Sequence, residues 1–442
     1  MKIFVNCSKT KRLLHIITIL IIPITIYMCK SKYGTNTRGY GVVLKDGNLN
    51  ENLAGDLTSK LSNDLIDTEN IHWTWFLHSK FVSKPKIRCV SNKEMKPIRF
   101  LPNFKNPCWK AKDGLLNDGK VHCLPFFYLL GVKKSATTDL FSRISKHPDI
   151  CRPSFSKECQ WISSRRFGAP NHVPKMRAIE NHITKRGIET TSVEFYVSMF
   201  DSAAACIANE NTTMHRKITV DASTMTYFMH ACWEHLEDNK YLDEPRYTNF
   251  HFIKQLIPNA KFIIIFRDPV ERLYSDFIHA SRGKYKSNSP DIFHNQVKIV
   301  VNAYQDCLQR YTKRRCVYNN TVSQQLLSRH LEVAVGFTAG FHAIYMRDMI
   351  DVFGLSQIKP ILMTEYVTNM EQMINSVFNF LELSEVDDTK MKSMLNSRIE
   401  NLSILKHAWQ MKNETATLLY SFYKPFNKDM AELMEDSRYL FS

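Results

Sequence analysis

Short, wholly apolar runs alternate with amphipathic stretches along this chain, and the strongest runs end in polar turns. Phe126–Leu130 is apolar throughout. It leads into Gly131-Val132-Lys133-Lys134-Ser135-Ala136 and then a helical stretch, Thr137–Ser145, stopped by His147-Pro148. A five-residue apolar run bounded by turn signals predicts a strand buried on both faces. Lys261–Phe266 predicts another, Lys217–Val220 and Pro360–Met363 predict two more, and Met370–Leu383 predicts an amphipathic helix. After Lys261–Phe266, Asp268 suits an N-cap and Pro269 the first helical position. Val270, Leu273, Tyr274, Phe277 and Ile278 then recur at helical spacing as a buried stripe, with Glu271, Ser275 and His279 on the other face. Strands alternating with helices predict an α/β fold with a central parallel sheet and helices on both faces.

The N-terminus adds a different element. Leu13–Cys29 is uncharged and apolar, with Lys9, Lys11 and Arg12 before it and Lys30 and Lys32 after it. Its length is at the short end for a transmembrane helix, which makes it a candidate signal-anchor. A cleaved signal peptide is the alternative, but no small-residue cleavage pattern follows. The organisation expected is a cytosolic tail (1–12), the anchor (13–29), a polar lumenal stem (30–120) and one large domain (121–442). This is a type II arrangement with its body in the secretory lumen.

Charge and cysteines fit that compartment. A formal net charge of +16 over 442 residues implies a polyanionic partner. No zinc-finger spacing or RNA-binding aromatic signature is present, which argues against nucleic acid. Glycosylation sequons stand at Asn211, Asn319, Asn401 and Asn413, and Asn6 also fits the pattern but would be cytosolic. Nine of the eleven cysteines follow the apolar run, with Cys307 and Cys316 the best disulfide pair and an odd thiol left over. Buried free thiols are the alternative reading. No metal-ligand spacing stands out.

Candidate chemistry lies at the two strand-to-helix turns. A loop opening a helix presents backbone N–H groups and the positive end of the helix dipole, which suits a phosphate or sulfate. The first turn adds Lys134, Thr137 and Thr138; the second adds Arg267 and Ser275, a cation and a hydroxyl suited to a phosphate monoester. Two such turns suit a ligand with two anionic ends. The lysine precedes the helix and no GK[ST] exists, so this is not a Walker A loop. Taken alone, the first turn reads equally well as an ordinary connection with surface lysines.

Gly131–Leu140 resembles the pattern G-x-P-K-C-G-T-T-D-L, and Arg267, Pro269, Arg272 and Ser275 resemble R-N-P-x-x-R-x-x-S. With Pro107-Cys108-Trp109, His147–Ile150, Lys157-Glu158, Arg166-Phe167-Gly168 and Phe422–Asn427, these make the chain similar to membrane-bound Golgi carbohydrate sulfotransferases. The similarity is greatest to the type that 6-O-sulfates N-acetylgalactosamine 4-sulfate in chondroitin and dermatan sulfate. The resemblance implies a P-loop-like sulfotransferase fold. It also implies 3′-phosphoadenosine 5′-phosphosulfate (PAPS) as donor substrate, no metal, an acidic glycosaminoglycan acceptor and a Golgi membrane location; it leaves homodimerisation open.

On the same resemblance, Gly131, Lys133, Lys134, Ser135, Ala136, Thr137 and Thr138 would hold the 5′-phosphosulfate, and Arg267 and Ser275 the 3′-phosphate. Lys134 would stabilise the leaving group, Glu158 would be the base, and His279 a secondary catalytic candidate that reads equally well as structural. Asp221-Ala222-Ser223 resembles an acidic-x-Ser segment of the family's cleft. Arg165, Arg166, Lys313, Arg314 and Arg315 would hold the acidic chain. Four positions depart from the pattern: Lys133 for Pro, Ser135 for Cys, Ala136 for Gly and Asp268 for Asn. They keep an alternative in view, a catalytically impaired lumenal protein that binds nucleotide and polyanion.

Overall fold

The computed structural model of the chain describes three short N-terminal strands and most of residues 97–441. Not described there are 111–114, 117, 156, 169–173, 210–211, 231–232, 281–288, 320–321, 323–331 and 398–408. Two units divide the chain, residues 1–70 and 71–442. In the first, β1 (Leu13–Ile16), β2 (Ile24–Met28) and β3 (Tyr40–Leu44) pair antiparallel in that order. A membrane helix was expected over Leu13–Cys29; its described residues are strands. Among the described residues no helix is long and apolar enough to cross a membrane. The cytosolic tail, most of the stem and the sequons at Asn6, Asn211 and Asn401 lie outside the described residues.

In the second unit, β4 (Cys108–Lys110) and β5 (Val121–Cys123) pair antiparallel and are joined by the Cys108–Cys123 disulfide. The central sheet contains β6 (Phe127–Gly131), β7 (Val220–Asp221), β8 (Lys261–Phe266) and β9 (Ile358–Leu362), all parallel, in the order β7-β6-β8-β9. β8 matches its apolar run residue for residue. β7 is shorter than expected because Thr219 gives its N–H to the Asn106 side chain, and Ile218 makes only an isolated bridge to Ile150.

Alternate residues of each strand enter separate cores. Phe127, Leu129, Ile263 and Ile265 face one way, with Leu140 and Ile144 of α1 (Thr137–Ile144). Tyr128, Leu130, Phe262, Ile264 and Phe266 face the other. There they meet α2 (Pro269–Ala280) and α3 (His342–Phe353) through Val270, Leu273, Phe277, Met346 and Met349. α4 (Met370–Phe380) covers the first face and α5 (Asn413–Met434) the second. Burial on both sides is why these strands are apolar throughout.

β6 has β7 on one side and β8 on the other, so successive connections diverge there and the C-terminal ends of β6 and β8 open into a crevice. Both strand-to-helix turns singled out in the sequence leave from these ends. Among the described residues three disulfides brace the unit: Cys108–Cys123, Cys151–Cys206 and, as expected, Cys307–Cys316. Cys159 is a buried free thiol. Cys89 and Cys232 lie outside the described residues.

Candidate active site

The strand-to-loop transition at β6 is built on a glycine. Register against β8 shifts between Leu129 and Gly131, where φ reaches 138°. A Cβ at Gly131 would stand 3.3 Å from the Thr224 carbonyl, so only glycine fits this approach without strain. Beyond it Lys134 (φ 69°) and Ala136 (φ 57°) are left-handed. Ala136 is the N-cap of α1 and offers no side-chain acceptor. Because an alanine cannot cap, the first-turn N–H groups of α1 have no side-chain acceptor at the N-cap, an arrangement suited to an anion. Ser135 is fully buried and its Oγ has no protein partner. A buried hydroxyl without a partner is costly unless a ligand satisfies it.

The second turn is built differently. Asp268 Oδ1 accepts from the N–H groups of Val270 (2.7 Å) and Glu271 (3.3 Å), and Oδ2 accepts from Tyr420 Oη of α5 at 3.0 Å. Asp268 therefore caps α2 as expected and fills its N-terminus. Of the two helix starts expected to offer free N–H groups, only α1 does so. Burial holds the Asp268 carboxyl above its ordinary range. At this turn the chemistry rests on side chains, Arg267 at the strand's end and Ser275, buried two turns into α2.

Arg267 and Lys133 tie the turns together. The Arg267 guanidinium donates to the Lys134 carbonyl (3.2 Å) and to Glu271 (3.4 Å), while its own carbonyl accepts from His342 Nε2 at 3.0 Å. Lys133 Nζ pairs with the buried Asp276 of α2 at 2.8 Å. Asp276 needs Gly336 beside it, since a Cβ there would lie 2.7 Å from Asp276 Oδ2. Arg272 is wholly buried and donates to the Gly336 carbonyl, a structural position inside the motif.

A residue that sequence reasoning used only as a marker completes the first turn. Lys157 Nζ lies 3.4 Å from Thr137 Oγ1, 3.2 Å from Thr138 Oγ1 and 2.5 Å from Glu158 Oε1. One ammonium thus joins the expected base to the hydroxyls at the start of α1. Glu158 is left-handed (φ 62°), and its side chain is 44% exposed, open to an acceptor. Behind it Asp221, at the end of β7, is buried with Ser223, Cys159 and Tyr196 around its carboxylate. Burial raises both the Asp221 carboxyl and the Cys159 thiol. His279 is exposed in the last turn of α2.

The basic residues expected to hold an acidic chain are engaged elsewhere. Arg165 pairs with Glu180 (2.5 Å), and Arg166 bonds Asn249 (2.8 Å) and stacks on Phe252. Lys313 pairs with Asp429, Arg314 with Asp348 and Glu244, and Arg315 with Asp243. Each cation thus meets an acid or amide; Arg165 and Arg166 are buried, whereas Lys313, Arg314 and Arg315 are partly exposed.

A parallel sheet thus carries two linked turns at its switch point, with the Glu158 carboxylate one ammonium away from the hydroxyls that open α1. Residues 125–333 match the model of the Sulfotransferase family. The chain is similar to carbohydrate sulfotransferase 15 of Homo sapiens and of Rattus norvegicus, each at 29% identity covering 78% of this chain and 66% of the relative. It therefore spans a little under two thirds of those relatives' length. Among solved structures, the sulfotransferase from Alicyclobacillus acidocaldarius matches with a TM-score of 0.43 and 19% identity, covering 71% of this chain and 96% of that one.

Proposed function

We propose that this chain is a carbohydrate O-sulfotransferase, moving the sulfuryl group of PAPS to a hydroxyl of an acidic glycosaminoglycan. The finer reading is the 6-hydroxyl of N-acetylgalactosamine 4-sulfate in chondroitin or dermatan sulfate. The observation that carries the proposal is the Lys157 bridge between Glu158 and the hydroxyls of Thr137 and Thr138. It supports a base beside the loop that would hold the transferring group. The unpartnered Ser135 hydroxyl and the uncapped start of α1 fit a sulfonate or phosphate in that loop.

In this mechanism the acceptor oxygen attacks sulfur in line as the bond from sulfur to the donor's phosphate oxygen breaks. Glu158 takes the hydroxyl proton, which a neutral sugar hydroxyl must lose to react. Lys134 and the N-terminus of α1 stabilise the charge gathering on the departing phosphate. Arg267 and Ser275 hold the 3′-phosphate, and His279 remains a secondary candidate for steadying the transferring group. The three disulfides support an oxidising lumen. The Leu13–Cys29 run between its lysines supports a type II Golgi anchor, which glycosylation mapping in microsomes tests.

The acid and amide partners of Arg165, Arg166, Lys313, Arg314 and Arg315 weaken the support for a polyanion surface at these residues, for a binding protein and for an acidic acceptor alike. Incubating the full chain with radiolabelled PAPS and chondroitin, dermatan, heparan and keratan acceptors tests the proposal. Label on chondroitin or dermatan is expected. Label on none would overturn the enzyme reading, and label on another chain the acceptor reading.

A further inference from the structure

We infer that Asp221 and Ser223 are positioning residues for Glu158, fixing the loop that carries it to the rigid edge of the sheet. The inference rests on the proposed role of Glu158 and names what holds that residue in place. Two residues of this short loop, Glu158 at φ 62° and Gln160 at φ 53°, are left-handed without being glycine. A left-handed residue other than glycine is strained and persists only where its surroundings over-determine it.

The surroundings here are specific. The Gln160 N–H donates to Ser223 Oγ at 3.0 Å, and Ser223 Oγ donates to Asp221 Oδ1 at 2.5 Å. Cys159 Sγ donates to Asp221 Oδ2 at 3.4 Å, and Tyr196 Oη donates to the same oxygen at 2.8 Å. On the far side, the Gln160 carbonyl accepts from Ser164 Oγ at 2.9 Å. Both residues that follow Glu158 are thus bonded to one buried carboxylate and its serine. Asp221 itself is in register with Tyr128 of β6, the strand whose end supplies the anion loop. The base and that loop therefore share one frame. A small shift of Glu158 relative to the sulfur would lengthen the proton transfer without touching donor binding.

The test uses the full chain with Ser223→Ala, Ser223→Thr, Asp221→Asn and Glu158→Gln. Ser223→Ala is expected to lower kcat about 10- to 100-fold, with donor KM and calorimetric affinity for adenosine 3′,5′-bisphosphate changed less than about twofold. Ser223→Thr, which restores the hydroxyl, should recover most of the rate. In single-turnover assays the Ser223→Ala loss should shrink or vanish in a Glu158→Gln background, because an absent base cannot be misplaced. An unchanged kcat, or an equal fold-loss in both backgrounds, overturns the positioning role. Should Ser223→Ala not fold, Asp221→Asn carries the same comparison. A fully active Glu158→Gln overturns the base assignment instead, so the two failures are distinct.

Discussion

The guanidinium of Arg267 donates to the backbone carbonyl of Lys134 across 3.2 Å, so the group read as gripping one end of the donor also braces the residue that meets the other. Lys133 repeats the link from the opposite side through Asp276. Two turns separated by half the domain in sequence are joined before any ligand arrives, which lowers the ordering cost of binding.

Lys134→Ala should abolish most transfer while leaving the fold intact. Only the side chain is lost, and the carbonyl that meets Arg267 remains. Removal of one preorganised electrostatic partner costs on the order of 100- to 1000-fold in rate. Steady-state kcat with a thermal melt checks both halves, and more than half the wild-type rate would refute the assignment.

Arg267→Ala and Ser275→Ala should both weaken the nucleotide product, the arginine change more severely because it also frees the Lys134 carbonyl. A hydrogen bond to a charged group contributes about 1.5–3 kcal/mol. Calorimetry with adenosine 3′,5′-bisphosphate measures this directly; unchanged affinity in both variants would remove the second turn from the site.

Ala136→Gly should leave turnover within a few-fold of wild type. The backbone already holds φ 57° with the methyl in place. Glycine relieves a left-handed penalty of about 1–2 kcal/mol and loosens the unfolded chain by about 0.4–1 kcal/mol, so the stability effects largely offset. A tenfold rise in kcat would instead reveal that the methyl obstructs the donor.

Stability should fall as pH drops below neutrality. His230 and His342 are buried, and burial depresses each from an ordinary 6.5 to about 3. The unfolded chain binds these protons first, so their contribution is complete above about 6.5 and is lost progressively toward 3. Each histidine removes up to about 1.4 kcal/mol per pH unit in that window. His342 also donates to the Arg267 carbonyl, a bond that the protonated ring keeps, so the cost of acidification is the burial of its charge. Melting temperatures at pH 7.5 and 5.5, compared with His342→Gln, check this: the variant should lose less on acidification.

Local physics made some of this legible in the chain itself. β8 could be read to the residue because burial on both faces demands an unbroken apolar run, and Asp268 could be read as a cap because the residue type suffices. β7 could not, because what shortens it is Asn106, far away in sequence, taking the Thr219 N–H. The same limit hid the Lys133–Asp276 pair and the bridging role of Lys157, and it made Arg314 and Arg315 look available when Asp348, Glu244 and Asp243 already held them. Residue type and spacing announce a site's chemistry, whereas partners brought together by the fold decide which charges are left for a ligand.

Cys159 stands eight residues from Cys151, whose disulfide partner Cys206 is 55 residues away from it. Under oxidising conditions the nearer thiol closes a loop sooner, which makes Cys159 a local competitor for the Cys151–Cys206 pairing. Once docked against Asp221 it is buried, and burial keeps it protonated and slow to exchange. Docking against Asp221 therefore withdraws from exchange a thiol that stands close to Cys151 in sequence. Cys159→Ala should accordingly reach the Cys151–Cys206 pairing in higher yield under air oxidation, scored by peptide mapping, with equal yields counting against it.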